Sequence, residues 1–394
     1  MNSKERVQTA FAHREPDRVP VWEWGIDNPI ASQVLGREAW VGFAGDVRGK
    51  LRNSMLIQGG FDEFRARAVA DLVELTQELE LDIIRVLPES KTPSPPIVIG
   101  ENRWRFENRA AGQWFDWVYV PETGEYTQVD SSIRQGGMDA FERWVSYLEE
   151  SPTTLDDWSL EELQWVVDNY GQEYFVLGHA DVMVETGSGG ASWVAVFLEA
   201  MAACPDLVDR YLDVREREIM MLAEAQIQLG VDGLAGGTDW AGSSNMLFSP
   251  HAFRQFVLPR LQRLTDLCHL HGLVYIKHTD GNVTSVEKPF FVESGIDGYA
   301  AIEPRAGMDI GYLKKRYGER LTFVGNVDCA MTLVYGSVAD VVAETRNVIR
   351  AAGPGGGLVL ASSNSIHPGV PLSNYMAMLE AARRYGGYPL ADDV

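Results

Sequence analysis

The sequence predicts an α/β fold, a (β/α)8 TIM barrel, and three observations support this prediction. Short apolar runs rich in β-branched residues alternate with longer amphipathic segments, the runs number eight, and most are apolar throughout. Continuous apolar runs are typical of parallel strands that are buried on both faces. A doubly wound open sheet gives the same alternation, so only the count of eight favours the closed barrel.

The eight predicted strands recur along almost the whole chain. They span residues 19–24, 82–87, 174–178, 231–235, 273–277, 298–302, 321–325 and 357–361. Helix signals lie between them: residues 205–229 open with a first-turn proline, and the pair Ser249-Pro250 supplies an N-cap and a first-turn proline for a helix that ends at Gly272. Residues 337–352 and 372–384 are also predicted to be helical.

Residues 88–130 interrupt the alternation after the second strand. Three prolines are followed by short aromatic runs around Trp104 and Trp114, which are separated by turn signals at Gly112 and Gly124. This pattern predicts an antiparallel β insertion. Its tryptophans either line a substrate mouth or form a small apolar core on the barrel, and we favour the core. The whole chain, residues 1–394, is therefore predicted to be one domain that carries this insertion.

Composition excludes several classes of function. The chain has 394 residues, 34 Lys and Arg against 56 Asp and Glu, and a formal net charge of −22. Such a charge repels phosphate backbones and anionic lipids, so we expect no nucleic-acid or membrane partner. No run approaches the roughly 18 apolar residues of a membrane span, and three scattered cysteines predict no disulfide framework. A cytoplasmic location is the expectation.

Polar side chains follow nearly every predicted strand at its carboxyl end. In chain order they include Trp22-Glu23-Trp24, Arg85, His179, Asp239-Trp240, His278-Thr279-Asp280, Glu303, Asn326, Asp328, Asn364 and His367. Active sites of α/β barrels lie at this end of the sheet. Each buried polar group left unpaired costs about 1–3 kcal/mol, so a purely structural barrel gains nothing from gathering them. The sequence therefore predicts an enzyme.

The segment His278-Thr279-Asp280 is the sharpest local feature. Side chains two residues apart at a strand end point the same way, so imidazole and carboxylate can converge on one metal ion or one proton. The alternative is a hydrogen-bonded pair that shapes the following turn. Asp239, which follows two glycines, is either a catalytic group or the cap of a tight loop.

Several motifs resemble the uroporphyrinogen decarboxylase superfamily, and they occur in order along the chain. They are 3–7 and 15–21 at the N-terminus, Ser249-Pro250 with 256–260, His278-Thr279-Asp280-Gly281-Asn282, Gly325-Asn326-Val327-Asp328, and Gly355-Gly356-Gly357 with 368–371. The resemblance implies a (β/α)8 barrel with its site at the strand carboxyl ends. It also implies a homodimer by analogy with family members.

The superfamily contains two chemistries. True porphyrinogen decarboxylases carry an N-terminal Arg-Gln-Ala-Gly-Arg segment that holds substrate carboxylates, whereas residues 21–27 of this chain contain Glu23 and two tryptophans instead. Corrinoid-dependent methyltransferases hold zinc with a His-x-Cys pair and a later cysteine. By motif those positions correspond to His278, Asp280 and Asn364, so oxygen donors replace both sulfurs.

We therefore expect a metal-assisted methyltransferase that removes a methyl group from a small methylated or methoxylated substrate and passes it to a corrinoid protein. Zinc or another divalent metal is expected at His278, Asp280 and Asn364. Catalytic roles are predicted for His278, Asp280, Asp239 and Glu303. Substrate contacts are predicted for Trp22, Glu23, Trp24, Arg85, His179, Trp240, Asn326, Asp328 and His367. The alternatives are a decarboxylase of another small carboxylate and a non-catalytic ligand-binding barrel.

Overall fold

The computed structural model describes residues 1–42, 47–91, 93–121, 124–182 and 192–391. Its strands are β1 (Ile83–Arg85), β2 (Glu89–Ser90), β3 (Ile97–Gly100), β4 (Arg103–Asn108), β5 (Gln113–Val120), β6 (Glu125–Ser131), β7 (Trp158–Ser159), β8 (Phe175–His179), β9 (Gly233–Gly236), β10 (Val274–His278), β11 (Gly298–Ala300), β12 (Thr322–Val327) and β13 (Leu358–Ser362).

Helices occupy most of the intervening chain. They are α1 (Ser3–Phe11), α2 (Asn28–Leu35), α3 (Val47–Gln58), α4 (Phe61–Glu78), α5 (Ser132–Glu150), α6 (Glu161–Tyr170), α7 (Val194–Ala203), α8 (Pro205–Leu229), α9 (Pro250–Ala252), α10 (Leu258–Leu270), α11 (Ile310–Tyr317), α12 (Thr332–Tyr335), α13 (Val338–Ala352) and α14 (Leu372–Tyr385). A π-helical turn, Phe253–Val257, joins α9 to α10. The predicted helices at 205–229, 337–352 and 372–384 thus correspond to α8, α13 and α14.

A seven-stranded parallel sheet forms the centre of the molecule, which is an α/β fold as predicted. The strand order is β1-β8-β9-β10-β11-β12-β13, and every adjacent pair is parallel. These strands coincide with seven of the eight predicted runs. Nearly all of their residues are buried, in agreement with the continuous apolar pattern of the sequence.

The first predicted strand, 19–24, forms only an isolated parallel bridge between Val21 and Leu360. Its backbone nevertheless lies between the two edge strands of the sheet. The Leu360 amide donates to the Pro20 carbonyl at 2.8 Å, and the Asp82 amide donates to the Val21 carbonyl at 2.8 Å. The segment therefore bonds to β13 on one side and to the residue preceding β1 on the other.

An antiparallel sheet of four strands, in the order β3-β4-β5-β6, lies between β1 and β8 in the chain. Its aromatic residues pack on one another: Trp117 stacks on Tyr126 with ring centroids 5.0 Å apart, and Trp104 lies 6.0 Å from the same ring. The Tyr126 hydroxyl accepts a hydrogen bond from Asn53 of α3. The domain boundaries predicted for this region, 88–130 within 1–394, stay a prediction.

The interior of the parallel sheet is filled by one apolar cluster to which all seven strands contribute. Its members are Val7, Trp22, Trp24, Ile83, Phe175, Leu177, Ala235, Ile276, Ala300, Val324, Val359 and Ala361. Two of them, Trp22 and Trp24, come from the segment that lies between β13 and β1. Among the described helices, none combines the length and the apolar character that crossing a membrane requires.

Asp82 connects this segment to the sheet. Its carboxylate is fully buried and accepts hydrogen bonds from Arg6 at 2.7 Å, from Arg18 at 2.8 Å and from the Val21 amide at 2.7 Å. Two guanidinium groups and one backbone amide thus share this carboxylate, although Arg6 also pairs with Asp17 at 2.7 Å. A buried ion pair that loses one partner leaves an uncompensated charge in a medium of low dielectric constant.

We predict that Asp82→Ala lowers the free energy of unfolding by about 3–5 kcal/mol, because two arginines and the Val21 amide lose their common acceptor. Urea denaturation measures the change. Asp266→Ala on the exposed side of α10 is the control and is expected to change the free energy by about 0.5 kcal/mol or less. Equal stability of the two variants would contradict this role for Asp82.

Candidate active site

Three side chains converge at the carboxyl ends of β9 and β10. His278 ends β10, Asp280 follows two residues later, and Asp239 comes from the loop after β9. The His278 Nε2 atom lies 3.3 Å from Asp280 Oδ1 and 3.8 Å from Asp239 Oδ1. Candidate ligand atoms of the three residues all lie within 4.8 Å of one another. The structure therefore brings together three of the four residues predicted to be catalytic.

The donor set fits a divalent metal ion. Asp280 Oδ1 is buried and accepts no hydrogen bond from the described part of the chain, although the imidazole nitrogen of His278 lies 3.3 Å away. Two ligand atoms that share one zinc ion at bond lengths of about 2.0–2.2 Å in tetrahedral geometry lie about 3.3 Å apart. Imidazole and carboxylate oxygens are zinc ligands, and harder divalent ions accept the same oxygens.

The neighbouring residues hold this cluster in place. Asn364 Nδ2 donates to Asp280 Oδ2 at 2.7 Å, and the Asp280 amide donates to Asp239 Oδ1 at 2.9 Å. Asn364 thus contacts Asp280 through Oδ2, whereas His278 Nε2 lies 3.3 Å from Oδ1. Asp239 thus accepts a backbone hydrogen bond from the loop after β10 and lies 3.8 Å from the imidazole, and its catalytic role stays a prediction.

Glu303 lies at the edge of the cluster. Its carboxylate accepts a hydrogen bond from the Gly281 amide at 3.2 Å, which places it beside the turn that carries Asp280. Burial and the charge of Asp280 raise the pKa of Glu303, and the Gly281 amide opposes this shift. A carboxyl group with a raised pKa is suited to proton transfer near neutral pH.

Trp24 covers His278 and also contacts Arg85. The indole stacks on the imidazole with ring centroids 4.3 Å apart and an interplanar angle of 19°. The guanidinium carbon of Arg85 lies 3.8 Å from the Trp24 ring centroid, and its Nη2 atom donates to the Trp24 carbonyl at 3.0 Å. Gly237 makes room for this arrangement, because a Cβ atom there would lie 2.8 Å from Trp24 Cζ2.

Two cavities open beside the segment that carries Trp24. The first has a volume of about 320 Å³, near the lower end of the range of about 300–1,000 Å³ usual for ligand pockets. Its walls include Trp22, Glu23, Trp24, Arg85 and His179. These are five of the residues predicted to contact substrate.

The second cavity has a volume of about 350 Å³ and lies beside Asp280. Its walls are acidic and include Asp27, Asp280, Glu303 and Asp328, together with Cys329, Asn364 and His367. Burial raises the pKa of the Cys329 thiol to about 11, so it is protonated at neutral pH. Asp280, Asn364 and Glu303 therefore face a cavity other than the one lined by the tryptophans.

Two residues of the first cavity are uncharged at neutral pH. Glu23 accepts hydrogen bonds from the Ser362 amide and hydroxyl, yet complete burial raises its pKa to about 8. Burial and the charge of Arg85 lower the pKa of His179 to about 4. Of the ionisable groups Arg85, Glu23 and His179, only Arg85 thus carries a charge at neutral pH, and that charge is positive.

Four predicted contact residues have other structural roles. Trp240 is fully buried among Phe253 and Phe290 and lies over the Lys277 ammonium, so the prediction that it forms a substrate wall disagrees with its position. Asn326 is 4% exposed and donates to the Ile302 carbonyl, which makes it a backbone support.

Asp328 and His367 line the second cavity, but each is also engaged with backbone. Asp328 accepts from the amides of Ala330 and Met331, at 2.7 and 3.0 Å. His367 Nε2 lies 3.0 Å from the Cys329 carbonyl. Both residues therefore shape the loops of this cavity as well as facing it.

The pair Lys277–Asp181 lies beneath the cluster and was missed as a pair from the sequence. Lys277 Nζ is fully buried and donates to Asp181 Oδ2 and to the Thr238 carbonyl, each at 2.8 Å. A lysine inside the apolar run of β10 was the available signal. The pair fixes the start of the loop that carries Asp239, because Asp181 also accepts from the Thr238 amide.

Comparisons with known proteins agree with this architecture. Residues 177–385 match the family model described as uroporphyrinogen decarboxylase (URO-D). A methyltransferase from Methanosarcina mazei of known structure superimposes with a TM-score of 0.66 over 98% of this chain and 99% of its own, at 21% sequence identity. At that identity the likeness shows the fold.

Two curated relatives represent the two chemistries of the family. The chain is 28% identical over 226 residues to a methylcobamide:CoM methyltransferase of Methanosarcina barkeri, covering 57% of this chain and 63% of that protein. It is 27% identical over 186 residues to the uroporphyrinogen decarboxylase of Thioalkalivibrio sulfidiphilus, covering 46% and 50%. The matches thus span about half to two-thirds of these relatives.

We predict that Gly237→Ala destabilises the protein by about 1–3 kcal/mol, because the new methyl group displaces the Trp24 ring from its contacts. Urea denaturation followed by tryptophan fluorescence measures the change. Gly242→Ala in the same loop is the control, since the nearest atom to its new Cβ lies 4.0 Å away. If both variants had the same midpoint, Trp24 would not be held as tightly as described.

A second prediction concerns Glu23, whose pKa of about 8 lies above its usual value. The folded protein keeps this proton between about pH 5 and 8 whereas the unfolded chain releases it, so the stability contributed by Glu23 falls as pH rises through that range. Relative to wild type, Glu23→Gln should gain up to a few kcal/mol between pH 5 and 8. Denaturation at several pH values measures the difference, and Glu380→Gln should show no such trend.

Proposed function

Because the chain belongs to the uroporphyrinogen decarboxylase (URO-D) family, as its motifs predicted, we propose that it is a corrinoid-dependent methyltransferase. The proposed reaction removes a methyl group from a small methylated or methoxylated substrate and transfers it to a corrinoid held by a partner protein. The observation that carries this proposal is the convergence of His278, Asp280 and Asp239 at the strand carboxyl ends.

The proposal rests on two further points. Curated relatives include methylcobamide:CoM methyltransferases, with matches over 57% of this chain. The first cavity has a volume of about 320 Å³, and two of its three arginines are already paired with glutamates, which suits a small molecule and not an octacarboxylate. Uroporphyrinogen itself is therefore not the proposed substrate.

The proposal includes a complete (β/α)8 barrel. The seven parallel strands leave one position, between β13 and β1, and residues 20–22 hydrogen-bond to chain on both sides of it. Counting this segment as the first strand closes the sheet. The carboxyl end of that strand is then the tripeptide Trp22-Glu23-Trp24, which faces the first cavity.

In the proposed mechanism, His278, Asp280 and Asp239 would hold a divalent metal ion, zinc or a harder ion. When bound, the ion supplies Lewis acidity towards the oxygen or nitrogen atom that loses its methyl group. Asn364 orients Asp280 through its second oxygen. Glu303, with its raised pKa, donates a proton to the leaving atom, and Trp24 excludes water from the imidazole face.

Decarboxylation of a small carboxylate is the second candidate, and a specific observation favours it. Arg85 offers a buried guanidinium to the first cavity, and the protonated Glu23 lies in the same cavity. In a decarboxylation, a cation such as Arg85 would hold the carboxylate of the substrate. A neutral acid such as Glu23 would then protonate the carbanion that remains after carbon dioxide leaves. The two candidates differ in their products, since only methyl transfer yields a methylated corrinoid.

We predict that purified protein incubated with zinc and dialysed retains about one ion per chain, and that His278→Ala or Asp280→Asn weakens binding at least about 100-fold. Asn364→Ala should weaken it about 10–100-fold, because it removes a partner of a ligand. Elemental analysis measures the metal. His251→Ala, in the first turn of α9, is the matched control and should retain the ion.

The same proteins test the reaction. Cob(I)alamin and a methoxylated aromatic substrate should yield methylcobalamin, visible by its absorption, and His278→Ala should abolish the product. Absence of bound metal together with unchanged turnover in His278→Ala would overturn the proposal. Release of carbon dioxide without a corrinoid would replace it with the second candidate.

A further inference from the structure

The first cavity contains one arginine whose charge no acid balances. Three arginines line its walls, and two of them are paired: Arg48 lies 3.0 Å from Glu89, and Arg65 lies 3.0 Å from Glu162. Arg85 forms no ion pair within the described ranges of the chain. Among the described residues, its hydrogen bond runs to the Trp24 carbonyl at 3.0 Å.

Arg85 is also buried, and no acid compensates its charge within the described residues. The residue is 8% exposed, and burial alone lowers its pKa, with no acid among the described residues raising it. A guanidinium carries five N–H donors and stays charged in proteins, so most of its donors face the cavity unused. An isolated buried charge is costly, and a ligand of opposite charge removes that cost.

We propose that the first cavity is the binding site of a small carboxylate ligand, whose carboxylate group pairs with Arg85 and whose apolar body lies against Trp22 and Trp24. A planar guanidinium matches a carboxylate in a bidentate geometry. The two tryptophans contact each other edge to face, with centroids 5.6 Å apart, and present an aromatic wall to the cavity.

The charge of the surroundings favours a monoanion over a phosphate. Glu23 and His179 are neutral at pH 7, and the paired arginines are already compensated, so the site provides a single positive charge. A carboxylate balances that charge, whereas a phosphate dianion would leave one negative charge buried beside Glu89 and Glu162.

Trp24 links this site to the metal cluster, and this step rests on the proposed function. Its indole contacts Arg85 at 3.8 Å and the His278 ring at 4.3 Å. A carboxylate held at Arg85 therefore lies on the other side of one indole ring from His278. Where the bound acid is also the methyl donor, this anchor gives its class. The substrate class of the proposed methyltransferase is then a methylated or methoxylated aromatic acid.

The test compares two probes of the same shape by isothermal titration calorimetry at pH 7. We expect 4-methoxybenzoate to bind wild-type protein about 10–100-fold more tightly than the neutral 4-methoxybenzamide, as a charge-assisted buried contact predicts. Arg85→Gln should lose this preference while it still binds the amide, which shows that the cavity is intact. Arg85→Lys should retain part of the preference.

Controls separate the site from general charge effects. Arg350→Gln changes the net charge equally, but its guanidinium bonds to Asn347 on α13, so the preference should remain. Equal affinity of wild-type protein for the two probes, or an unchanged preference in Arg85→Gln, would overturn the assignment. Tighter binding of 4-methoxyphenyl phosphate than of the carboxylate would overturn it as well.

This binding assay is independent of the methyl-transfer assay. Carboxylate binding that depends on Arg85 without methylcobalamin formation would overturn the proposed function and leave the binding site standing. The opposite result is that a neutral methoxylated substrate yields methylcobalamin at the same rate in wild type and in Arg85→Gln. That result would support the proposed function and overturn the carboxylate site.

Discussion

The buried carboxylate of Asp82 is the interaction on which both the sheet and the site depend. It lies immediately before β1 and accepts hydrogen bonds from Arg6, Arg18 and the Val21 amide. Bidentate and charge-assisted contacts of this kind fix geometry as well as supplying energy. The N-terminal segment, which makes only one bridge to the sheet as a strand, is thereby held in line with β1. The next three residues of the same segment, Trp22, Glu23 and Trp24, extend into the interior of the sheet.

The site is therefore a compartment of low dielectric constant in which few side chains are charged. Trp24 separates an acidic cavity beside Asp280 from a cavity in which Glu23 and His179 are neutral and Arg85 is charged. Electrostatic interactions are stronger in such surroundings than in water, so one unbalanced guanidinium has a large influence on which ligand binds. In a chain of net charge −22, an anion must therefore be recognised by a local group and not by the overall field.

The sequence predicted the parallel strands and the grouping of His278, Asp280, Asp239 and Glu303, because both follow from local patterns. Buried runs identify strands, and parallel strands bring their carboxyl ends to one edge of the sheet. The prediction that Trp240 contacts substrate disagrees with the structure. Trp240 follows β9 at its carboxyl end, as the other predicted site residues follow their strands, but its ring packs in the core between Phe253 and Phe290. Side-chain direction after a strand depends on loop geometry, which periodicity does not contain.

The partners of charged residues could not be predicted for a similar reason. Arg85 has no acidic partner in the described structure, whereas Arg48 pairs with Glu89 and Arg65 with Glu162. These two pairs join residues 41 and 97 positions apart and require the fold, and only the contact of Arg65 with Asp62, three positions away on α4, is local.

Under the proposed function, the cluster of His278, Asp280 and Asp239 would hold a metal ion with oxygen donors, in place of the thiolates that the family resemblance implies. Thiolates are soft, strongly donating ligands that favour zinc and reduce its Lewis acidity, whereas carboxylates are weaker donors that also suit harder ions. An ion held by His278, Asp280 and Asp239 is therefore the stronger electrophile. Strong Lewis acidity serves the activation of an ether or amine leaving group, while a thiolate-rich site suits the activation of a thiol nucleophile. Under the proposed function, this donor set would therefore favour removal of a methyl group from an ether or amine, in which the leaving atom must be activated.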